Sequence, residues 1–214
     1  MSTETITREI TLPAILRRSA VLTWFELPRV VLLGLVSLLA AAPLGAALVV
    51  APWWVAALSS IPLCLLATGL ARFAALIWRG EKPFMRDGLR IDVTLGLSIA
   101  VIGTGTVQLI MAGGASRIVG SILAAVALVV VPYALAYGGV RQRSGFTAFR
   151  GALILIAYRP SWALTALALG SIGAFAVAGS VGALAVIVPC ILMVFDCALV
   201  ARLLDTIDKH GSSR

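Results

Sequence analysis

The chain has 214 residues, of which 61% are hydrophobic and 12% are charged, and its formal net charge is +8. Soluble domains carry about 25% charged residues, so this composition excludes an ordinary soluble protein and favours one that is solvated by a lipid bilayer. The lysines and arginines lie between apolar segments and form no continuous basic domain. We therefore expect contact with anionic lipid headgroups and no binding of nucleic acid.

Residues 1–27 are predicted to form a cytoplasmic or interfacial amphipathic segment. From Pro13 to Phe25, apolar side chains surround the pair Arg17 and Arg18. This pattern is typical of a short helix in the headgroup region, with Trp24 at the interface and the arginines facing anionic lipid.

Six apolar segments follow, and each can cross the roughly 30 Å of hydrocarbon for which a helix needs about 20 residues. Pro43 and Pro52 interrupt the first long apolar run, and Gly113–Gly114 predicts a tight turn later in the chain. The predicted transmembrane domain, 28–204, contains helices at about 28–48, 52–78, 93–113, 118–140, 161–179 and 182–204, with a short interfacial helix at 148–159 and a polar cytoplasmic tail at 205–214.

The distribution of positive charge predicts the orientation of these helices. With six helices, all but Arg117 of the 17 lysines and arginines lie on one side of the membrane, whereas five or seven helices would place them on both sides. Cytoplasmic loops carry an excess of lysine and arginine. We therefore predict an all-α bundle of six transmembrane helices in the inner membrane of a bacterium, with both termini cytoplasmic.

Two charged residues lie inside the predicted helices at similar depth, Asp196 in the sixth and Arg72 in the second. A charge at such a depth is costly unless it is paired or hydrated, so we predict an ion pair between them. The alternative is that Asp196 meets local hydroxyl groups or cytoplasmic water while Arg72 extends to the interface. Gln108 and Tyr133 are expected to form hydrogen bonds between helices.

Small residues in the third and fifth helices are expected to allow close helix packing, because lipid provides no hydrophobic force for helix association. The glycines among them are Gly96, Gly103, Gly105, Gly170 and Gly173.

No catalytic, cofactor or metal site is predicted. Cys64, Cys190 and Cys197 lie in apolar segments without the spacing of a zinc site or a disulfide framework. Cys190, Met193 and Cys197 share a helix face that would admit Cu(I), but sulfur side chains more often fill packing gaps.

The charged loops offer possible docking or lipid contacts on the cytoplasmic side. Their acids, Glu81, Asp87 and Asp92, lie among arginines and are expected to form local ion pairs. A membrane enzyme would need polar groups that converge at the interface, such as Arg86, Asp87 and Arg90. The cations predicted to make docking or lipid contacts are Arg79, Lys82, Arg86, Arg90, Arg141, Arg143, Arg150 and Arg159.

Several stretches carry a resemblance to a known family: Ile61–Leu63, Ala71–Leu76, Gly80–Phe84, Asp87–Arg90, Ala148–Leu153, Tyr158–Pro160 and Ala201–Asp205. Together they resemble the YesL-like family of bacterial integral membrane proteins, a domain of unknown function. The chain departs from the family pattern in its first loop, where a Thr-x-Gly-Pro run is not clear. The resemblance implies six helices, no known activity and frequent association with carbohydrate ABC-transport systems.

Three functions remain open on the sequence. The chain could be an accessory or regulatory membrane component of carbohydrate ABC transport, with ABC-transporter subunits as partners. It could be a small autonomous transporter, as a homo-oligomer for example, with Asp196 in its pathway. It could also be a membrane enzyme acting at the cytoplasmic interface, although no catalytic constellation supports this.

Overall fold

The computed structural model describes residues 12–50, 52–180 and 182–211, and the elements of this part of the chain are all helical. In chain order they are α1 (Leu12–Phe25), α2 (Leu27–Val50), α3 (Trp53–Arg79), α4 (Met85–Gly88), α5 (Val93–Met111), α6 (Gly114–Arg141), α7 (Gly145–Tyr158), α8 (Pro160–Gly179), a one-turn 3-10 helix (Ala183–Val186) and α9 (Val188–Gly211).

Six of the described helices, α2, α3, α5, α6, α8 and α9, are long and apolar enough to cross a membrane. The predicted all-α bundle of six transmembrane helices is confirmed, and the protein is an integral, multi-pass membrane protein. The shorter helices α1 and α7 occupy the two segments for which short helices are predicted. Pro43 lies inside α2 and does not end it.

The last long helix, α9, begins and ends later in the chain than the predicted helix 182–204. Gly182 has φ of +85°, a conformation that glycine adopts without strain, and the 3-10 turn that follows delays the start of α9 to Val188. At its other end α9 continues to Gly211. This extension has a physical reason, because Leu203 and Ile207 pack against the main hydrophobic core.

Helices α3 and α9 form the centre of the bundle. In each of them 50% of the residues in the apolar span are buried, against 11% in α8. Phe73 of α3, Tyr133 of α6 and Val194 of α9 are among the largest fully buried side chains of the core. The peripheral helices therefore present most of their surface to lipid.

Glycines set the closest approaches between helices. Gly96 lies against Leu65 of α3, and Gly173 lies against Leu192 of α9, as expected for close packing. Within the described structure no atom lies within 4 Å of a Cβ built on Gly103, Gly105 or Gly170, so these glycines are not at such contacts.

Among the described glycines, the closest approach between two long helices is at Gly139, which joins α6 to α3 and which the pattern of small residues did not single out. A Cβ built on Gly139 would lie 2.5 Å from the carbonyl oxygen of Ala71 and 2.8 Å from its carbonyl carbon. A Cβ on Gly69 of α3 would likewise overlap the carbonyl oxygen of Gly88. Because Gly69 has no side chain, α4 can lie directly against α3. Only a glycine fits at either position without displacement of backbone.

Helix α1 packs against the bundle along one stripe. Ile15, Ser19 and Thr23 are buried, and their spacing of four residues places them on one helix face. Ile15 contacts the cluster around Phe195 and Leu199 of α9. The first described segment therefore combines a packed face with an exposed one.

Two of the three acids between α3 and α5, Asp87 and Asp92, cap backbone groups. None of the three forms an ion pair among the described residues, so the prediction of local ion pairs is wrong. Asp87 accepts a hydrogen bond from the backbone N–H of Phe84 at 3.0 Å. Asp92 caps α5, since its carboxylate accepts from the backbone N–H of Leu95 at 3.1 Å and from the Thr94 hydroxyl at 2.7 Å. The backbone N–H of Asp92 donates to the Thr68 hydroxyl at 2.9 Å, which ties this helix start to α3.

Candidate functional site: an intramembrane cleft

An apolar cleft of about 650 Å³ lies between α6, α8 and α9. It exists because α8 is only loosely packed and because small residues, such as Gly170, Ala174 and Ala178, form much of its wall. Most of the rest of the lining is aliphatic or aromatic, from residues such as Leu128 and Phe175, and it also contains the polar residues Ser171 and Asp196. The volume lies within the range of about 300–1,000 Å³ that is usual for small-molecule pockets.

Asp196 is the acidic residue of this lining. It lies in the first half of α9, is the last residue of α9 to line the cleft, and is 7% exposed. Among the described residues it forms neither an ion pair nor a side-chain hydrogen bond. A buried carboxyl group without a partner is costly, and in membrane proteins such groups mark pathways and binding sites.

The predicted ion pair between Arg72 and Asp196 is not formed in this structure. The two helices do meet at this depth, because the Cys197 thiol donates a weak hydrogen bond to the carbonyl oxygen of Ala71 at 3.5 Å. Successive residues of a helix point about 100° apart, so this contact does not bring their neighbours together. Asp196 faces the cleft with α6 and α8, whereas Arg72 is half-buried on α3 and lies outside the cleft lining.

Tyr133 of α6 lines the same cleft as Asp196. Its hydroxyl group is fully enclosed and has no hydrogen-bond partner among the described residues. Gln108 is exposed on α5. Neither side chain forms a hydrogen bond between helices in the part of the chain described, so the sequence prediction for these two residues is wrong.

The sulfur residues of α9 are packed in the core. Cys190 and Cys197 are buried, and Met193 is 9% exposed where it lines the cleft. No group of three or more histidine, cysteine, aspartate or glutamate side chains in the described structure is placed to hold a metal ion.

Two of the three residues considered for an interfacial enzyme, Arg86 and Asp87, have structural contacts. Asp87 caps the turn at Phe84, and the Arg86 guanidinium lies 5.7 Å from the centre of the Phe84 ring. Arg90 is exposed. The loop therefore uses its acid and one arginine to hold the short helix α4.

The cations predicted to make docking or lipid contacts are all exposed. Only Arg79 and Arg141 among them line a second pocket, at the end of the bundle. Arg18 and Arg202 line it as well. The sequence predicts that Arg18 faces anionic lipid, but it assigns no contact to Arg202. Their positions at the ends of apolar helices signal an interface, but nothing in the linear pattern shows that they converge.

No protein family model, curated protein or solved structure matches this chain.

Proposed function

We propose that this membrane protein is a small transporter whose cleft between α6, α8 and α9 binds an apolar solute that carries a positive charge. The observation that carries the proposal is the position of Asp196, a carboxyl group without a protein partner in the wall of an apolar cleft. A cation in the cleft would compensate the buried carboxylate, and an apolar body would fill the rest of the volume.

The position of Asp196 along the cleft favours a solute with its charge at one end. Phe175 and Leu128 lie toward the start of α9. Asp196 and Ala163 lie toward the opposite, arginine-rich end of the bundle, where Arg79, Arg141 and Arg202 line the second pocket. A lipophilic cation can therefore place its apolar part along α8 and its charge beside the carboxyl group. This is the substrate class for which we propose transport.

Uptake of ethidium into proteoliposomes that enclose DNA tests the proposal, because ethidium is a lipophilic cation and its fluorescence rises on DNA binding. We expect saturable uptake by the unmodified chain and at least about a tenfold lower rate for Asp196→Asn, since a lost charge interaction of about 1.4 kcal/mol corresponds to a factor of ten. Glu81→Gln is the matched control, because Glu81 is an exposed carboxylate that lies outside the lining of either pocket. Equal rates for the two variants, or no saturable uptake by the unmodified chain, would contradict the proposal.

Filling the cleft gives a second test that leaves the carboxyl group in place. A Cβ built on Gly170, which lies in the cleft wall, has no neighbouring atom within 4 Å, so we expect Gly170→Leu to occupy part of the cleft without distorting the fold. Gly179→Leu on the same helix is the control, because that position is equally open and lies outside the cleft lining. We expect a lipid-soluble carbodiimide to modify Asp196 in the unmodified chain and in the control, and much less in Gly170→Leu. A water-soluble carbodiimide that labels Asp196 equally in all three would show that the route to this residue does not run through the cleft.

A second candidate is an accessory role in carbohydrate ABC transport, which the YesL-like resemblance suggests. It is favoured by two exposed aromatic side chains near basic residues, Phe84 in the loop after α3 at 64% exposed and Phe146 in the first turn of α7 at 82% exposed. Exposed aromatic residues beside arginines are common at the energetic centres of protein interfaces. Purification in mild detergent followed by mass spectrometry tests this role, with Phe84→Ala and Phe146→Ala as variants. Recovery of ABC-transporter subunits with the unmodified chain, and their loss with the variants, would support it; recovery of the chain alone would contradict it.

A further inference from the structure

Four arginines from four different helices converge on one pocket of about 450 Å³. Arg18 belongs to α1, Arg79 to α3, Arg141 to α6 and Arg202 to α9. The wall also contains Trp78 and two carboxylates. Chain segments that are far apart in the sequence therefore place their cations at the same end of the bundle.

Specific contacts hold three of these arginines in the pocket wall. Arg79 donates a hydrogen bond to the backbone carbonyl oxygen of Val140 at 2.6 Å, which fixes the end of α3 against the end of α6. The Arg18 guanidinium lies 4.8 Å from the centre of the Trp78 ring, a distance at which a cation and an aromatic ring attract each other. Arg141 forms an ion pair with Asp208 at 2.7 Å.

The charges within this pocket are not balanced. Its acids are Asp205 and Asp208, and Asp208 is already paired with Arg141. In the part of the chain that the structure describes, the other three arginines form no ion pair. Each guanidinium presents five N–H donors in a planar fork that matches the oxygen atoms of a phosphate group. The pocket therefore has cationic donors in excess of the anions that its own walls supply.

We propose that this pocket binds the phosphate group of an anionic molecule, and that the headgroup of an anionic phospholipid is its source. The pocket lies where α3, α6 and α9 end, and basic pockets between the ends of transmembrane helices are suited to such headgroups. Helix α1 leads from Arg18 to Trp24 and Phe25, which are 73% and 77% exposed, so an apolar surface lies beside the pocket for the acyl chains. Binding at Arg18 would also fasten α1 to the bundle.

Native mass spectrometry of the delipidated full chain in mild detergent tests the site. The probes are phosphatidylglycerol, phosphatidylcholine with the same acyl chains, glycerol phosphate and inorganic phosphate. We expect one molecule of phosphatidylglycerol to bind saturably, and Arg79→Gln and Arg202→Gln each to raise its Kd about tenfold, equivalent to about 1.4 kcal/mol. The controls are Arg90→Gln, at an exposed loop position outside the pocket, and Arg117→Gln, near the start of α6 and far along that helix from Arg141. Both should keep the Kd of the unmodified chain.

The outcomes separate the two sources of phosphate. Binding of phosphatidylglycerol that glycerol phosphate does not displace supports the lipid headgroup. Saturable binding of glycerol phosphate or inorganic phosphate, lost in the pocket variants, supports the phosphate site but overturns its assignment to lipid. If the pocket variants and the controls bind phosphatidylglycerol with the same Kd, the site itself is overturned. Arg202→Lys, which keeps the charge and removes the planar fork, provides a milder variant if Arg202→Gln does not fold, and it too should weaken binding.

Discussion

Gly139→Ala probes the contact between α3 and α6 at a point where the backbone of α3 lies directly against α6. The new methyl group would lie 2.5 Å from the carbonyl oxygen of Ala71 and 2.8 Å from the carbonyl carbon, whereas ordinary contacts of a Cβ begin at 3.4 Å. The obstacle is backbone, which cannot rotate away as a side chain could. The helices therefore have to move apart by about 0.9 Å at this contact.

The expected cost follows from two opposing effects. Overpacking of a tight interior site costs about 1–3 kcal/mol, and replacement of a helical glycine by alanine gains about 1 kcal/mol of helix propensity. Gly103→Ala isolates the second effect, because Gly103 is an exposed glycine inside α5 with no described atom within 4 Å of the added carbon. The two variants should therefore differ by the overpacking cost alone, about 2 kcal/mol.

Thermal unfolding in detergent, followed by loss of the monodisperse peak in size-exclusion chromatography, measures this difference. For a chain of this length about 1 kcal/mol shifts Tm by about 2–4 °C, so Gly139→Ala should melt about 4–8 °C below Gly103→Ala. The reasoning would be refuted if Gly139→Ala melted at the same temperature as Gly103→Ala or above it. That result would mean that α3 and α6 are not in backbone contact at Ala71.

Three further predictions concern smaller features, and thermal unfolding in the same detergent checks each of them. Asp92→Ala removes the cap of α5 and should lower Tm by about 2–4 °C, because a lost cap costs about 1 kcal/mol. Asp92→Asn keeps an acceptor and should lower Tm less. An unchanged Tm for Asp92→Ala would argue against the cap. Ser19→Ala should raise Tm or leave it unchanged, since the Ser19 hydroxyl is buried without a hydrogen-bond partner among the described residues; a clear decrease would reveal a partner for it. The exposed ion pair between Arg141 and Asp208 should show a coupling of at most about 1 kcal/mol in a double-mutant cycle, reduced further by salt, and a larger, salt-independent coupling would contradict its exposure.

Hydropathy, charge and turn chemistry were sufficient to predict most of the helices. The described structure has transmembrane helices at the six predicted apolar segments. Gly113 and Gly114 both have positive φ, as the predicted tight turn requires. These features follow from local sequence, because a backbone in lipid must satisfy its hydrogen bonds within the helix and positive φ is a property of single residues. The cytoplasmic location of the arginine-rich end stays a prediction from the positive-inside rule.

The rotation of each helix about its axis was decided only by the tertiary structure. The sequence gives the depth of a residue along its helix, so Arg72 and Asp196 could be placed at similar levels in the membrane. It does not give the direction in which each side chain points, and the two residues form no ion pair. The same limit applies to the helix contact at Gly139 and to the pocket that joins Arg18 to Arg202. Lipid solvates every apolar face of a helix almost equally, so hydropathy cannot select the face that packs. That choice depends on the shapes of side chains from distant parts of the chain, which meet only in the folded bundle.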